Sequence, residues 1–299
     1  MKLSKRTWPV IGVASLAVAL TACGGGGTGA SSSAGAASGT KDAALAGKVP
    51  ADIKSSGVIK VAMDQTYPPF ESVDSSGNIV GIDPDLARAI GGLIGVKIQF
   101  VNTSFDGIIP ALSAKKVDLA MSSIGDTKDR EKTVDFTTYY QNGSLLLVKK
   151  GNPKGLKSDL TCGARIGVIR GSLQQNTFIP AQGPKCKSAG KSAPVAKAFQ
   201  SGPQAQLALQ SGRIDGVLQD APPVTDAAAK NPQMFEAAGP LVKNPNPGGV
   251  AFPKGSELVI PVRDAMNALM KNGTYAKILK KYNLTAIAIS SSQKNGARS

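Results

Sequence analysis

Two short segments of the chain end in polar side chains that could bind a charged ligand. Residues 116–123 read KVDLAMSS and residues 213–220 read RIDGVLQD. Each has a basic residue, an aliphatic residue followed by aspartate, a run typical of a β-strand, and then polar groups: Ser122 and Ser123 in one, Gln219 and Asp220 in the other. Ligands of open α/β sheets bind at the carboxyl ends of the strands. Two such sheets facing one another would bring these polar ends together in one cleft.

The chain contains no histidine among its 299 residues, which excludes several kinds of catalytic site. A Ser-His-Asp or Cys-His arrangement is impossible, and so is a zinc site that needs an imidazole ligand. We also expect no metal and no cofactor.

The residues around these segments alternate between strand and helix patterns. Strand-like runs lie at 58–63, 97–101, 117–121, 165–169 and 214–218. Apolar residues at helical spacing predict helices between them, with Leu86, Ile90 and Leu93 on one face of the first helix. We expect Asp83 to cap that helix. The β-α-β-α-β order predicts parallel sheets covered by helices.

The first 22 residues have the features of an export signal. A start with three basic residues precedes an apolar stretch at 8–20, which is too short for a membrane helix that needs about 20 residues. Residues 20–23, LTAC, resemble a bacterial lipobox. We expect Cys23 to receive a lipid and to become the new N-terminus. An ordinary signal peptide is the alternative.

The segment from Cys23 to residue 48 is expected to be a lipid anchor followed by a linker. Residues 24–40 contain only Gly, Ser, Ala and Thr, which is typical of a flexible coil. The remainder should be soluble, extracytoplasmic and held at the cell membrane. Without the leader cations the net charge of +15 becomes +12. Because an exported protein rarely meets nucleic acid, we interpret this charge as a basic surface and not as a nucleic-acid site.

Two cysteines, Cys162 and Cys186, remain once Cys23 is lipidated. In an oxidising compartment an isolated pair predicts a disulfide. Two free buried thiols are the alternative.

Motifs between Gly57 and Asn283 resemble those of the bacterial extracellular solute-binding proteins of family 3, which bind polar amino acids for ABC importers. The motifs are 64–70 (DQTYPPF), 81–86 (GIDPDL), 105–112 (FDGIIPAL), Ser122-Ser123 with Arg130 and Asp135-Phe136, 171–172 (GS), 218–220 (LQD) and 272–275 (NGTY). Pro84 replaces an aliphatic residue usual in the second motif, and proline suits a helix start.

The resemblance implies an α/β fold of the two-lobed, type II periplasmic-binding-protein kind. Each lobe would be a mainly parallel sheet covered by helices, and two hinge strands would join the lobes. Lobe 1 would comprise 49–141 and 246–299, and lobe 2 would comprise 142–245, with hinges near 141–143 and 243–246. The polar tail after about Ile289 is expected to be disordered.

The resemblance also implies how the two ends of an amino acid are bound. Arg130 matches the arginine that holds the α-carboxylate, assisted by backbone N–H groups at Gly125 and at Leu173 in the Gly171-Ser172 turn. Asp220 matches the aspartate that accepts hydrogen bonds from the ammonium group, and Ser123 should share it. Gly125 stands where the family often has Ser or Thr, and Leu173 replaces a common Thr, so two hydroxyl donors are missing.

Four residues are expected to select the ligand side chain. Tyr67 and Phe105 match the aromatic pair that sandwiches it, while Asp64 and Ser122 should face its distal group. A carboxylate at Asp64 disfavours acidic ligands and favours Arg, Lys, ornithine or His. Glutamine or a modified amino acid is the alternative. Arg170 would oppose a basic ligand if it faced the cleft.

A dehydratase-like enzyme on the same fold is the main rival function. It would need a general acid in the pocket, and the carboxylates expected there are already assigned to ligand charges. The predicted partners are an amino acid, an ABC permease and the membrane through the lipid anchor, and the protein is expected to be a monomer.

Overall fold

The computed structural model describes residues 41–299, so the predicted leader and Cys23 lie outside the described residues. The strands are β1 (Val58–Met63), β2 (Thr66–Tyr67), β3 (Glu71–Val73), β4 (Ile79–Val80), β5 (Lys97–Asn102), β6 (Leu119–Gly125), β7 (Val134–Tyr140), β8 (Gly143–Lys149), β9 (Arg165–Ile169), β10 (Val195–Phe199), β11 (Gly216–Asp220), β12 (Phe235–Lys243) and β13 (Gly248–Pro253). The α-helices are α1 (Ala43–Gly47), α2 (Ala51–Ser56), α3 (Ile82–Ile94), α4 (Phe105–Ser113), α5 (Lys128–Glu131), α6 (Ile179–Ser188), α7 (Gly202–Gln210), α8 (Ala221–Lys230), α9 (Val259–Lys271) and α10 (Thr274–Lys281). A π-helical turn spans Gln174–Phe178, and a 3-10 turn spans Thr285–Ile287.

Two five-stranded sheets of matching topology define the two lobes. The sheet of lobe 1 has the order β5-β1-β6-β13-β7, and that of lobe 2 has the order β10-β9-β11-β8-β12. In each sheet one strand, β13 or β8, runs antiparallel to both of its neighbours. Strand pairs β1–β5, β1–β6, β9–β10 and β9–β11 are parallel. The expected two-lobed α/β fold with mainly parallel sheets is therefore confirmed.

Helices cover both faces of each sheet, as amphipathic elements must to bury their apolar sides. In lobe 1, α3, α9 and α10 pack on one face and α4 packs on the other. In lobe 2, α6 lies over one core, and α7 and α8 lie over the other. The predicted apolar face of α3 is buried, with Leu86, Ile90 and Leu93 all at most 6% exposed.

The chain crosses between the lobes twice, at 141–142 and at 244–247. The two crossings contact each other directly. The Gln141 side-chain amide donates to the Asn244 carbonyl oxygen at 2.6 Å, and the Asn244 backbone N–H donates to the Asn142 carbonyl oxygen at 3.1 Å. Two short adjacent connections are the arrangement in which a hinge can absorb rotation of one lobe against the other.

The prediction that the tail after Ile289 is disordered is wrong. The tail runs along lobe 1, where the Asn295 side chain donates to Asp135 Oδ1 at 3.0 Å and Gly296 N–H donates to Asp126 Oδ2 at 2.7 Å. Its last residue, Ser299, donates its N–H to Asn246 Oδ1 at 3.0 Å. The composition misled because hydrogen bonds to buried carboxylates, and not a run of apolar side chains, hold this segment in place.

The prediction that Asp83 caps α3 is also wrong. The helix begins at Ile82 after Gly81, and no side chain caps it. Asp83 is fully buried and instead accepts hydrogen bonds from the Tyr139 hydroxyl at 2.6 Å and from Ser123 N–H at 2.9 Å. The aspartate that resembles a cap in the sequence therefore joins α3 to the carboxyl end of β6.

Cys162 and Cys186 form a disulfide that connects the segment before β9 to α6.

Within residues 41–299, no helix has both the length and the apolar character needed to cross a membrane.

Candidate functional site

One cavity between the lobes is lined by all ten residues that the sequence assigns to ligand binding. They come from the carboxyl ends of β1, β5, β6, β9 and β11 and from the segments that follow: Asp64, Tyr67, Phe105, Ser122, Ser123, Gly125, Arg130, Ser172, Leu173 and Asp220. The polar strand ends thus meet in one cleft, as parallel α/β sheets lead one to expect. The role of each residue in binding stays a prediction.

Arg130 spans the cleft from the short helix α5. Thr127 caps this helix by accepting from Arg130 N–H at 3.1 Å. The guanidinium donates to the Gly125 carbonyl oxygen at 2.8 Å in lobe 1 and to the Gly171 carbonyl oxygen at 2.9 Å in lobe 2. It lies 5.7 Å from the centre of the Phe105 ring. Burial lowers the pKa of Arg130 from its usual value. Neutral carbonyls hold this cation, so the remaining N–H donors suit a ligand carboxylate.

Asp220 lies at the end of β11 and is also engaged across the cleft. One carboxylate oxygen accepts from the Ser123 hydroxyl of lobe 1 at 3.0 Å, and the other accepts from the Gln174 side-chain amide at 3.0 Å. Its backbone N–H donates to the Tyr67 hydroxyl at 3.2 Å. Burial raises the pKa of Asp220 to about 6. A nearby cation would stabilise the ionised form, as expected of a site for an ammonium group.

Ser123 is held in an unusual backbone conformation. Its φ is +46°, in the left-handed region that non-glycine residues rarely adopt. Asp83 holds its N–H, while its hydroxyl reaches both Asp220 and the Tyr140 hydroxyl at 3.0 Å. Backbone strain of this kind persists only where surrounding contacts impose it and is common at functional sites.

A cluster of acidic and hydroxyl groups forms the far end of the cleft. The Thr66 hydroxyl donates to Asp64 Oδ1 at 2.6 Å, and burial raises the pKa of Asp64. The Ser122 hydroxyl accepts from Asp64 N–H at 2.9 Å and donates to Glu71 Oε1 at 2.8 Å. Ser122 therefore donates its hydroxyl hydrogen to Glu71 and positions Asp64 through the Asp64 N–H, and Asp64 itself lines the cavity.

Glu71 also lines the cavity and was missed in the sequence. It is fully buried, its Oε1 accepts from the Ser122 hydroxyl at 2.8 Å, and a side-chain hydrogen bond joins its carboxyl to that of Asp83. Burial raises the pKa of Glu71 well above its usual value, and the neighbouring Asp83 raises it further. The available signal was an acidic residue next to the apolar Phe70 at the start of a β-like run.

Further lining residues missed in the sequence come from the ends of β7 and β9, from the crossings and from the π-helical turn: Tyr140, Ile169, Asn142, Asn244 and Gln174. None belongs to a contiguous motif, because the fold alone brings these segments to the cleft. Gln174 holds Asp220, and Tyr140 holds Ser123.

Arg170 lies at the rim of the cleft and is not among the cavity-lining residues. Its side chain is 53% exposed, and its Nε is 3.8 Å from Asp106 Oδ2 of lobe 1. The positive charge is thus partly compensated outside the pocket, so it does not oppose a basic ligand inside.

Within residues 41–299, no cluster of three or more His, Cys, Asp or Glu side chains could hold a metal ion.

Comparison with known proteins matches residues 59–285 to the bacterial extracellular solute-binding proteins, family 3. ABC transporter arginine-binding protein 1 of Escherichia coli is 35% identical over 225 residues, which cover 74% of this chain and 88% of that protein.

Solved structures of the same kind are similar in fold. An ancestral arginine-binding protein bound to arginine is 35% identical, with a TM-score of 0.68, and the match covers 76% of this chain and 98% of that one. An ancestral amino acid-binding protein that is a precursor of cyclohexadienyl dehydratase is 32% identical, also with a TM-score of 0.68, and covers 77% and 97% of the two chains.

Proposed function

The chain belongs to the bacterial extracellular solute-binding proteins, family 3, and we propose that it captures a basic L-amino acid outside the cytoplasm and delivers it to an ABC importer. The observation that carries this proposal is the charge pattern of one cleft. Arg130 would take the α-carboxylate, Asp220 the α-ammonium group, and Asp64 the distal cation. The similarity to arginine-binding proteins supports the same choice.

A zwitterionic ligand would close the cleft because its two charges belong to different lobes. Arg130 extends from lobe 1 and Asp220 from lobe 2, and both already make hydrogen bonds across the interface. Burying either charge against a ligand that lacks its counterpart would carry a large desolvation cost. Only the difference in affinity between the open and closed forms shifts the equilibrium. The closed form would be the one presented to the permease.

Aromatic and acidic groups together would select the ligand side chain. Tyr67 and Phe105 supply walls that suit an aliphatic stem and can stack a guanidinium. Asp64 supplies a carboxylate oxygen, and the buried carboxyl of Glu71 lies behind Ser122. A ligand carboxylate at this end would be repelled by Asp64.

We further propose that Cys23 carries a lipid anchor and that the protein acts as a monomeric binding protein without catalysis. The relatedness to a dehydratase precursor keeps an enzyme as the rival. The rival would need a free general acid beside the ligand. The two cleft aspartates are accounted for by ligand charges, and the remaining acid of the cavity, Glu71, is engaged by Ser122 and Asp83.

A ligand screen on the purified protein tests the proposed function. We expect thermal stabilisation by Arg, Lys or ornithine and none by Glu. Ligand at a hundred times its Kd stabilises by about 2.7 kcal/mol, which raises the melting temperature by a few degrees. A response to Glu would contradict the role of Asp64. A response to Gln alone would keep the family and overturn the basic ligand.

Replacing Asp64 with asparagine should change selectivity more than it changes overall binding. Asn keeps an oxygen for the Thr66 hydroxyl but removes the negative charge. Arginine should bind about tenfold more weakly, because a charge-assisted hydrogen bond is lost, while glutamine should be little affected. Isothermal titration calorimetry with both amino acids measures the ratio of affinities. Asp159→Asn, on the exposed surface, is the matched control. Equal losses for arginine and glutamine would contradict Asp64 as the selector.

A further inference from the structure

Gly125 and Leu173 face each other across the cleft, at the carboxyl end of β6 in lobe 1 and just before the π-helical turn of lobe 2. A Cβ atom placed on residue 125 would lie 2.6 Å from Leu173 Cδ1 and 3.4 Å from its Cγ. The first distance is too short for two carbon atoms in contact. The end of the leucine side chain therefore occupies the space that any side chain at 125 would need.

The same two segments are already linked through Arg130. Its guanidinium donates to the carbonyl oxygens of Gly125 and Gly171, and Gly171 lies two residues before Leu173. The guanidinium and the Leu173 side chain thus both connect the segment at Gly125 in lobe 1 to the segment at 171–173 in lobe 2. These contacts set the distance between the lobes at the proposed carboxylate end of the cleft.

We infer that Leu173 and Gly125 form a steric closure pair, in which the missing side chain at 125 lets Leu173 seat and bring lobe 2 onto the carboxylate end. This inference rests on the proposed function. The two departures from the family pattern are then one feature, because glycine at 125 leaves the end of the Leu173 side chain its place in the closed form. Leu173 acts as a positioning residue that adds an apolar wall to the cavity that Arg130 also lines, where exclusion of water strengthens an ion pair.

Backbone geometry does not require glycine at 125. The φ angle of Gly125 lies outside the left-handed region, so alanine can adopt the same backbone conformation. Any penalty from Gly125→Ala should therefore come from the contact with Leu173. To relieve that contact, the end of the Leu173 side chain must shift, or the residue must leave its place in the cleft.

A double-mutant cycle with Gly125→Ala and Leu173→Ala tests the pair, with L-arginine as the probe in calorimetry. Gly125→Ala alone should weaken binding about tenfold, as overpacking of a closed interface does. Leu173→Ala alone should weaken it about fivefold through lost apolar cover. The double variant should bind no more weakly than Leu173→Ala, because the added methyl group then has room. Gly183→Ala is the matched control, since its Cβ would meet nothing closer than 3.9 Å.

Additive losses in the double variant, or native affinity in Gly125→Ala, would overturn the closure pair. Small-angle X-ray scattering with L-arginine at saturation gives a second reading: Gly125→Ala should keep a larger radius of gyration than the wild type, and the added Leu173→Ala should restore the smaller radius. If L-arginine does not bind the wild-type protein, the proposed ligand fails, and the same cycle is run with whichever amino acid stabilises the wild type in the thermal screen. Additive losses with that amino acid would reject the pair.

Discussion

Arg130→Ala is expected to weaken binding of a basic amino acid at least about a hundredfold, because it removes a partly buried guanidinium from the proposed carboxylate site. Two parallel charge-assisted bonds would be lost, and the ligand carboxylate would remain desolvated without a partner. The variant also loses the bond to the Gly171 carbonyl oxygen, which joins the lobes. Calorimetry with L-arginine measures the loss.

Arg130→Lys separates charge from geometry in the same experiment. Lysine keeps the positive charge but cannot offer a planar fork to a carboxylate and to two carbonyl oxygens. Its affinity should fall between those of the wild type and Arg130→Ala. Arg213→Ala, which removes an exposed arginine of lobe 2, serves as the control for net charge. Near-native affinity in Arg130→Ala would remove the carboxylate site from this position.

Contiguous motifs allowed the two lobes and the ten predicted cavity-lining residues to be placed from the sequence. The strand ends at Ser122-Ser123 and Asp220 carry their polar groups in short local patterns, and the fold brings such ends to one edge of each sheet. Residues that depend on distant pairing had no such signal. Gln174, for example, reaches Asp220 only because a π-helical turn places it there.

Asp83 and Glu71 show why buried acids are difficult to predict. In the sequence Asp83 precedes a helical pattern and has the type and position of a cap. In the structure Asp83 is buried and accepts a hydrogen bond from the N–H of Ser123, whose backbone conformation is strained. Glu71 accepts a hydrogen bond from the Ser122 hydroxyl. Both carboxyls have pKa values raised by burial. A residue that supports a site through another residue has the same local pattern as one that supports a helix.

Asp220→Asn is expected to weaken binding of the same ligand about a hundredfold at pH 7.5, because the ammonium group loses a buried counter-ion. The charge of this counter-ion also determines how the affinity depends on pH. With a pKa of about 6 in the ligand-free protein, Asp220 is ionised above that pH, and affinity should be constant there. Below it, the ligand must displace a proton, so affinity should fall by about tenfold for each pH unit.

Comparing the wild type with Asp220→Asn separates the ionisation of Asp220 from that of the other titrating groups of the cleft. A protonated aspartate and an asparagine are both neutral, so the hundredfold difference in affinity between wild type and variant should shrink below pH 6 and disappear at about pH 4, two units below the pKa of Asp220. The stability of the ligand-free protein depends on pH in the opposite direction to the affinity. A raised pKa in the folded state means that the carboxyl of Asp220 favours folding at low pH and loses that contribution as pH rises through about 6. Without ligand, Asp220→Asn should therefore melt no lower than the wild type at pH 7.5. If the ratio of the wild-type affinity to the Asp220→Asn affinity stayed constant between pH 5 and 8, Asp220 would not be the ammonium partner. Other titrating groups are present in both proteins, so only the titration of Asp220 makes this ratio depend on pH.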